Sequence, residues 1–216
     1  MLHTCLQRHT RILSHSEVFN IELFESDSER IEIIRKDPVE YLHKYVFVDY
    51  APITRAVGFK MLYSQCPAPN CPNFLKWLFD SGTRIIHLKR HDTLAMYISG
   101  LVAREERRWH VLEGEDPGHI KPQSIFVSPD EYIEFLTGLN AEIQIYDRLL
   151  QNVSHLEICY EELIGNMDRE LQRAAEFLGV RFETGMRPMT KKRITQPLSE
   201  IVANYSDLQR LSELDS

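Results

Sequence analysis

The chain has 216 residues, 43% hydrophobic and 26% charged, and carries a formal net charge of −7 at pH 7. This length allows one sizeable core, so a single domain spanning residues 1–216 is expected. The composition is ordinary for a soluble globular protein, and the acidic balance argues against a general nucleic-acid binder. The apolar runs are too short to span a membrane and no signal peptide is visible, so the expected location is cytoplasmic.

Four cysteines are scattered along the chain: Cys5, Cys66, Cys71 and Cys159. Cys66 and Cys71 form the one close pair, and their spacing fits no common zinc pattern. Free thiols are therefore expected. A local disulfide or a metal clip between Cys66 and Cys71 is the alternative.

The N-terminal part of the chain alternates helical and extended patterns. Residues 1–10 have the pattern of the end of an amphipathic helix. Residues 12–19 follow as a short strand or extended segment. Residues 21–45 are largely polar and helical in character, with Asp27 or Ser28 as the first cap.

A strand, a helix and a second strand come next. Alternating apolar residues predict a strand over residues 56–63, and Pro72 opens a helix that reaches Asp80. The second strand begins at Thr83. This order and spacing predict a parallel pair of strands joined by a right-handed crossover.

The centre of the chain is a strand that runs directly into a helix. Residues 84–88 form a short apolar run, and Lys89, Arg90 and His91 crowd its C-terminal end. Asp92 is a good N-cap for the helix that follows. Basic side chains therefore meet a helix N-terminus at the end of a strand, which is where ligands bind in open α/β sheets.

Backbone N–H groups and cations in this arrangement predict a site for an anion, with a phosphate group as the expected ligand. Ser99 lies two turns into the helix and adds a hydroxyl donor if its face turns toward the site. Basic residues at such turns are also often merely solvated, and this is the alternative.

The C-terminal half contains a long loop and two further helices. Residues 109–126 predict a lid or substrate-contact loop, or else disorder. Ser128 begins a capping box for a helix that runs to about Asn152. A strand over residues 156–160 and a helix over 167–178 follow.

A local basic run, Lys191, Lys192 and Arg193, stands out against the negative net charge. Cations of this kind bind phosphate groups through charge-assisted hydrogen bonds. A solvated basic run before a helix is an equally good interpretation.

Taken in order, these motifs resemble sulfotransferases that use 3′-phosphoadenosine 5′-phosphosulfate (PAPS), in the branch acting on lipids and carbohydrates. Each motif is degenerate, and their order carries the resemblance. The matching positions are Glu17, Gly58-Phe59-Lys60, Arg90 to Ser99, Tyr160-Glu161, and Lys192 to Asn204-Tyr205.

The resemblance implies an α/β fold of the three-layer, P-loop-like sulfotransferase type with a mainly parallel central sheet. It also implies transfer of the sulfuryl group from PAPS to an acceptor hydroxyl on a small molecule, lipid or carbohydrate. Such chemistry requires a base on the acceptor, a fixed cofactor and stabilisation of the leaving phosphate.

The same resemblance assigns roles to individual residues. Glu17 is expected to be the catalytic base, with His15 as its rival because the histidine pKa lies closer to neutrality. Arg90 and Ser99 are expected to hold the 3′-phosphate, and Lys192 and Arg193 to close over it. No metal ion is implied, since the cations supply the positive charge.

The chain departs from the family pattern in two ways. His91 replaces the more usual second arginine, and no Arg-Ser-Gly-Thr-like loop or G-x-x-x-x-G-K motif holds the phosphosulfate. An N-terminally truncated sulfotransferase, lacking the first strand of the sheet, is therefore expected. A non-catalytic relative that binds a nucleotide or a partner is the alternative, and a P-loop kinase relative is a weaker one because no Walker-type lysine occurs.

Overall fold

The structure, a computed structural model, describes residues 1–24, 26–67, 71–106, 109, 111–112, 114–116 and 118–214. The α-helices among them are α1 Leu2–Leu6, α2 Ser28–Lys36, α3 Pro38–Tyr45, α4 Asn73–Asp80, α5 Thr93–Glu105, α6 Pro129–Leu150, α7 Tyr160–Gly165, α8 Met167–Phe177, α9 Leu198–Ile201 and α10 Tyr205–Leu214. The strands are β1 Ile12–Glu17, β2 Ala56–Lys60, β3 Ile85–Lys89, β4 Val111–Leu112, β5 His155–Cys159 and β6 Thr190–Lys191.

The expected α/β class is confirmed, since helices and short paired strands share the chain. β1 and β2 are parallel, with Ile12 opposite Ala56 and a register shift between His15 and Glu17. β3 pairs with β5, and β4 pairs with β6 in antiparallel orientation. The expected direct pairing of β2 with β3 is wrong. Among the described strands, β2 pairs with β1 and β3 pairs with β5. A helix that connects two strands does not determine which strand each of them pairs with.

The chain divides into two compact units. The first contains Met1–His87, Val153–Ile158 and Gly165–Pro188. The second contains Leu88–Asn152, Cys159–Ile164 and Met189–Ser216. The expectation of a single domain over residues 1–216 stays a prediction.

Aspartates begin three of the helices, as their sequence positions favour. The carboxylates of Asp27, Asp37 and Asp92 each accept a hydrogen bond from the backbone N–H three residues on, at 3.0, 2.8 and 2.8 Å. These bonds satisfy donors that a helix start leaves unpaired. At α6 the predicted start is right, but the Ser128 side chain makes no capping hydrogen bond. Its capping box is therefore not formed.

The first unit is centred on aromatic side chains. The ring of Phe19, which follows β1, lies 5.8 Å from Tyr41 of α3 and 5.3 Å from Phe74 of α4. Phe59 of β2 meets it edge-on at 5.6 Å. Edge-to-face packing of this kind adds to the stability gained from burial alone. These contacts join β1, β2, α3 and α4 beside Glu17.

The core of the second unit lies between α5, α6 and α10. Ile98 of α5, Tyr132 of α6 and Leu208 of α10 are fully buried within it. The Tyr132 hydroxyl is 2.6 Å from Ser212 Oγ and 3.2 Å from Thr93 Oγ1, so its polar end is satisfied. The core thereby holds the first turn of α5 in place.

Asn204 joins the segment before α6 to the C-terminal helices. Its side chain accepts from the backbone N–H of Val127 at 3.2 Å and donates to the Val127 carbonyl at 2.7 Å. Next to it, Ile125 and Val202 form an isolated parallel bridge. Asn204 of the Asn204-Tyr205 pair thus has a structural role in this unit.

The predicted lid loop contains β4, which pairs with β6 of the basic run through Val111 and Lys191. Residues 107, 108, 110, 113 and 117 in and beside this loop lie outside the described residues. All four cysteines are free thiols, as expected; residues 68–70, between Cys66 and Cys71, are also outside the described part. Across the described chain, no helix has both the length and the hydropathy needed to cross a membrane.

Candidate functional site

The turn between β3 and α5 carries the predicted anion site. Lys89 ends the strand, and its ammonium group lies 2.8 Å from a carboxylate oxygen of Asp147 on α6. Arg90 follows, and Asp92 caps α5 through the backbone N–H of Ala95. The turn is short because the cap follows the strand almost directly. It therefore presents Arg90 and His91 at a fixed place.

Arg90 lies over the ring of Tyr160, with its guanidinium carbon 4.7 Å from the ring centroid. This is a cation–π contact, which holds the guanidinium group without neutralising its charge. The Arg90 Nε atom is buried and has no hydrogen-bond partner among the described residues. Arg90 also forms no ion pair with any described residue. A half-buried cation in this state is well suited to bind an anion.

The carboxylate of Glu161 is the acceptor for the backbone of the turn. It accepts hydrogen bonds from the N–H groups of His91 at 3.2 Å and Asp92 at 3.1 Å, and the Cys159 thiol donates to it at 3.1 Å. Burial favours the neutral acid, but these hydrogen bonds outweigh it and lower the pKa of Glu161. Glu161 is thus held as an anion.

This contact changes the expected chemistry of the site. The N–H groups of His91 and Asp92 already bind an anion, which is the chain's own carboxylate. The N–H of Ala95 is taken by the Asp92 cap. A phosphate group at this turn would therefore depend chiefly on side chains, with Arg90 foremost.

The other predicted phosphate ligands also belong to the second unit. Ser99 is half-buried on α5, and Lys192 is exposed just after β6. Arg193 is ion-paired to Glu106 at the end of α5, and its side chain is 9% exposed. Among the described residues, Arg90, Ser99, Lys192 and Arg193 make no hydrogen bonds with one another. Arg90 contacts Tyr160 and Arg193 pairs with Glu106 instead.

Glu17, the expected base, lies at the end of β1 in the first unit. One carboxylate oxygen accepts from Lys60 Nζ at 2.5 Å, and the other accepts from Gln65 Nε2 at 2.6 Å and Asn20 Nδ2 at 3.2 Å. Burial raises the pKa of Glu17, but the hydrogen bonds from Lys60 and Gln65 outweigh this and the net shift is downward. The group is an ionised, well-satisfied carboxylate.

His15, the rival base, lies two residues earlier on the same strand. Its Nε2 atom is 2.9 Å from the Tyr50 hydroxyl, which donates to the Val46 carbonyl at 2.7 Å. Burial lowers the pKa of His15, so the ring is neutral at pH 7. Both candidate bases are in the protonation state that a base requires.

Sequence reasoning missed the contacts that position Arg90 and its turn, and those that position Glu17. Tyr160 and Glu161 were marked by the family resemblance, but nothing in the sequence placed them against Arg90 and the turn. Gln65 gave no signal because it comes from a separate segment, and an amide three residues after a glutamate, as Asn20 is, does not by itself predict a contact. A scan against models of known protein families finds no match, and a search of curated proteins finds none either.

Proposed function

We propose that this chain is a PAPS-type sulfotransferase relative that binds the 3′-phosphate of an adenosine nucleotide at the β3–α5 turn. The single observation that supports this most is Arg90. Its guanidinium group is stacked on Tyr160, its Nε is buried without a hydrogen bond among the described residues, and it lies at the C-terminal end of a strand. These features leave an oriented cation with donors to offer.

In the proposed reaction, an acceptor hydroxyl oxygen attacks the sulfur of PAPS. The sulfur–oxygen bond to the 5′-phosphate breaks, and 3′,5′-ADP leaves. Glu17 takes the hydroxyl proton; to do so it exchanges one of its present donors, such as Asn20, for the acceptor. Lys60, ion-paired to Glu17, keeps that carboxylate ionised at neutral pH. The acceptor belongs to the small-molecule, lipid or carbohydrate alcohols.

Arg90 and Ser99 hold the 3′-phosphate in this proposal, and Lys192 and Arg193 close over it. Lys192 is the more available of the last two because it is exposed, whereas Arg193 is already paired with Glu106. The 3′-phosphate contact distinguishes this nucleotide from ordinary adenosine phosphates. It is therefore the contact to measure.

Isothermal titration calorimetry with 3′,5′-ADP and with 5′-AMP isolates that contact, because the two ligands differ only in the 3′-phosphate. We expect the chain to bind 3′,5′-ADP at least about tenfold more tightly, and Arg90→Ala to remove most of the difference. Arg210→Ala is the matched control, since it removes one exposed cation from α10 of the same unit. Equal affinity for the two ligands in the unmodified chain would refute the proposal.

A second candidate function is nucleotide or partner binding without transfer. The hydrogen-bond network of Glu17 favours it, because both carboxylate oxygens are occupied by donors. Incubation with PAPS and a panel of alcohols separates the two functions. Release of 3′,5′-ADP that requires both an alcohol and Glu17 supports the enzyme. Binding of 3′,5′-ADP with no release under any alcohol supports the non-catalytic relative.

A further inference from the structure

The first unit contains a cleft of about 320 Å³, and two of its lining residues, Asn20 and Gln65, also donate to Glu17. It opens between the segment after β1, the end of α2 and the turn that contains Gln65. Its volume is at the lower end of the range for small-molecule sites. All of its lining residues belong to this one unit.

One part of the cleft is apolar and firmly packed. Phe19, Ile34 and Cys66 line it and are each buried, at 4%, 5% and 7% exposure. Phe19 is also held by the aromatic contacts of the core. This part offers a preformed surface for the hydrophobic body of a ligand.

The polar wall offers hydrogen-bond donors. The Asn20 and Gln65 amides each donate one hydrogen to Glu17, and their carbonyl oxygens accept from the backbone N–H groups of Glu22 at 3.3 Å and Leu62 at 3.2 Å. Because both ends of each amide are engaged, the orientation of the amides is fixed by their partners. Within the described part of the chain, the second hydrogen on each amide nitrogen has no acceptor and remains for a ligand.

Two charged side chains line the same cleft. Arg35, near the end of α2, is exposed and has no ion pair among the described residues. Glu22, on the segment after β1, is exposed as well. The guanidinium group of Arg35 attracts a ligand oxyanion and the carboxylate of Glu22 repels it. The oxyanion of a bound ligand is therefore expected at the Arg35 end of the cleft.

We propose that this cleft binds a small organic anion, with an apolar body against Phe19 and Ile34 and an oxyanion at Arg35. The remaining amide hydrogens of Asn20 and Gln65 complete the recognition of the oxyanion. This inference does not require the proposed sulfotransferase function, because none of the residues assigned to the nucleotide lines the cleft and its test measures binding alone. Asn20, which donates to Glu17, is the residue that the two proposals share.

The test is a protein-observed NMR titration with 2-naphthoate as the probe. Its uncharged analogue, 2-naphthamide, has the same ring system and serves as the ligand control. We expect shift changes to cluster at residues 19–22, 34–35 and 64–67, and the carboxylate to bind at least about fivefold more tightly than the amide.

Matched variants separate the cleft from general electrostatics. Arg35→Gln should weaken 2-naphthoate by about fivefold and leave 2-naphthamide unchanged, whereas Glu22→Gln should strengthen 2-naphthoate. Lys36→Gln, which removes the neighbouring cation that pairs with Glu32, should have no such effect. Ser64 is exposed and lines the cleft, so Ser64→Trp should block both ligands without disturbing the core.

The proposal is overturned by shift changes that lie elsewhere, by equal affinity for the two ligands, or by equal effects of Arg35→Gln and Lys36→Gln. Retention of full affinity in a folded Ser64→Trp variant would also overturn it. Folding of each variant is checked by the dispersion of its own NMR spectrum, so a loss of binding is not confused with unfolding.

Discussion

The carboxylate of Glu161 accepts a hydrogen bond from the backbone N–H of Asp92, at 3.1 Å, across 69 positions of sequence. The contact ties the segment after β5 to the turn after β3. Tyr160, the neighbour of Glu161, lies beneath Arg90. One dipeptide thus fixes both the backbone of the turn and the cation that the turn presents.

Glu161→Gln is expected to lower the free energy of unfolding by about 2 kcal/mol, because one N–H of the turn then faces an amide that donates rather than accepts. Chemical denaturation followed by fluorescence measures the change. Glu162→Gln is the control: this neighbour is exposed, and its substitution should change stability by less than about 0.5 kcal/mol. Equal effects of the two substitutions would show that the turn does not depend on Glu161.

Stability should fall in acid through Glu17 and Glu161. Both have a folded-state pKa below the ordinary value of 4.5. A lowered pKa contributes stability that is present above the unfolded pKa and is lost as the pH falls through the folded pKa. The free energy of unfolding should therefore decrease from about pH 5 downward.

The contribution of Glu17 is isolated by comparing the unmodified chain with Glu17→Gln at each pH. The stability difference should be largest at neutral pH and shrink as Glu17 itself becomes protonated. Glu40→Gln, at an exposed position on α3, is the control: its difference in unfolding free energy from the unmodified chain should stay the same at every pH. A Glu17→Gln difference that stays constant down to pH 3 would contradict the lowered pKa.

The aromatic surface beneath Arg90 should affect nucleotide binding. Tyr160→Leu removes the ring, so Arg90 is less well oriented and the affinity for 3′,5′-ADP is expected to fall by about fivefold. Tyr160→Phe retains the ring and should bind normally. The affinity for 5′-AMP should not change in either variant, and a parallel loss there would mean that Tyr160 acts on the whole nucleotide. Calorimetric titration distinguishes these results.

Two glycines should respond to alanine with opposite signs. Gly179 ends the helical segment of α8 with φ +75°, and an added Cβ would lie 2.9 Å from Arg84 Nη1. Gly179→Ala should cost about 1 kcal/mol of stability, chiefly through the backbone conformation. Gly100 lies inside α5, and apart from its own helix backbone no described residue has an atom within 4 Å of an added Cβ. Gly100→Ala should therefore stabilise by about 0.5–1 kcal/mol. Thermal unfolding of both variants checks the signs.

Local chemistry made much of the fold predictable. Asp92 was a recognisable cap, and Asp27 was one of two candidates with Ser28, because a short carboxylate satisfies the first N–H groups of a helix without help from the rest of the chain. Strands β1, β2 and β3 were visible as apolar or alternating runs. The two-residue strands β4 and β6 were not, because so short a segment has no period to detect.

Tertiary contacts decided what the sequence left open. The choice of neighbour for β2 is one example, since β1 pairs with it across the chain. The site is another: an acidic residue such as Glu161 has no sequence feature that points to a turn so far away. The roles proposed for Glu17, Arg90, Ser99, Lys192 and Arg193 rest on the family resemblance and stay predictions.

Asn204 extends the hydrogen bonding of the isolated bridge between Ile125 and Val202 by means of a side chain, since its amide pairs with both main-chain groups of Val127. Asparagine can do this because it has a donor and an acceptor on one planar group. Aspartate has the same shape, but one of its carboxylate oxygens would face the Val127 carbonyl oxygen, and the two oxygens would repel each other. Deamidation of this one residue, a spontaneous ageing reaction, would thus loosen the C-terminal helices from the segment that begins α6.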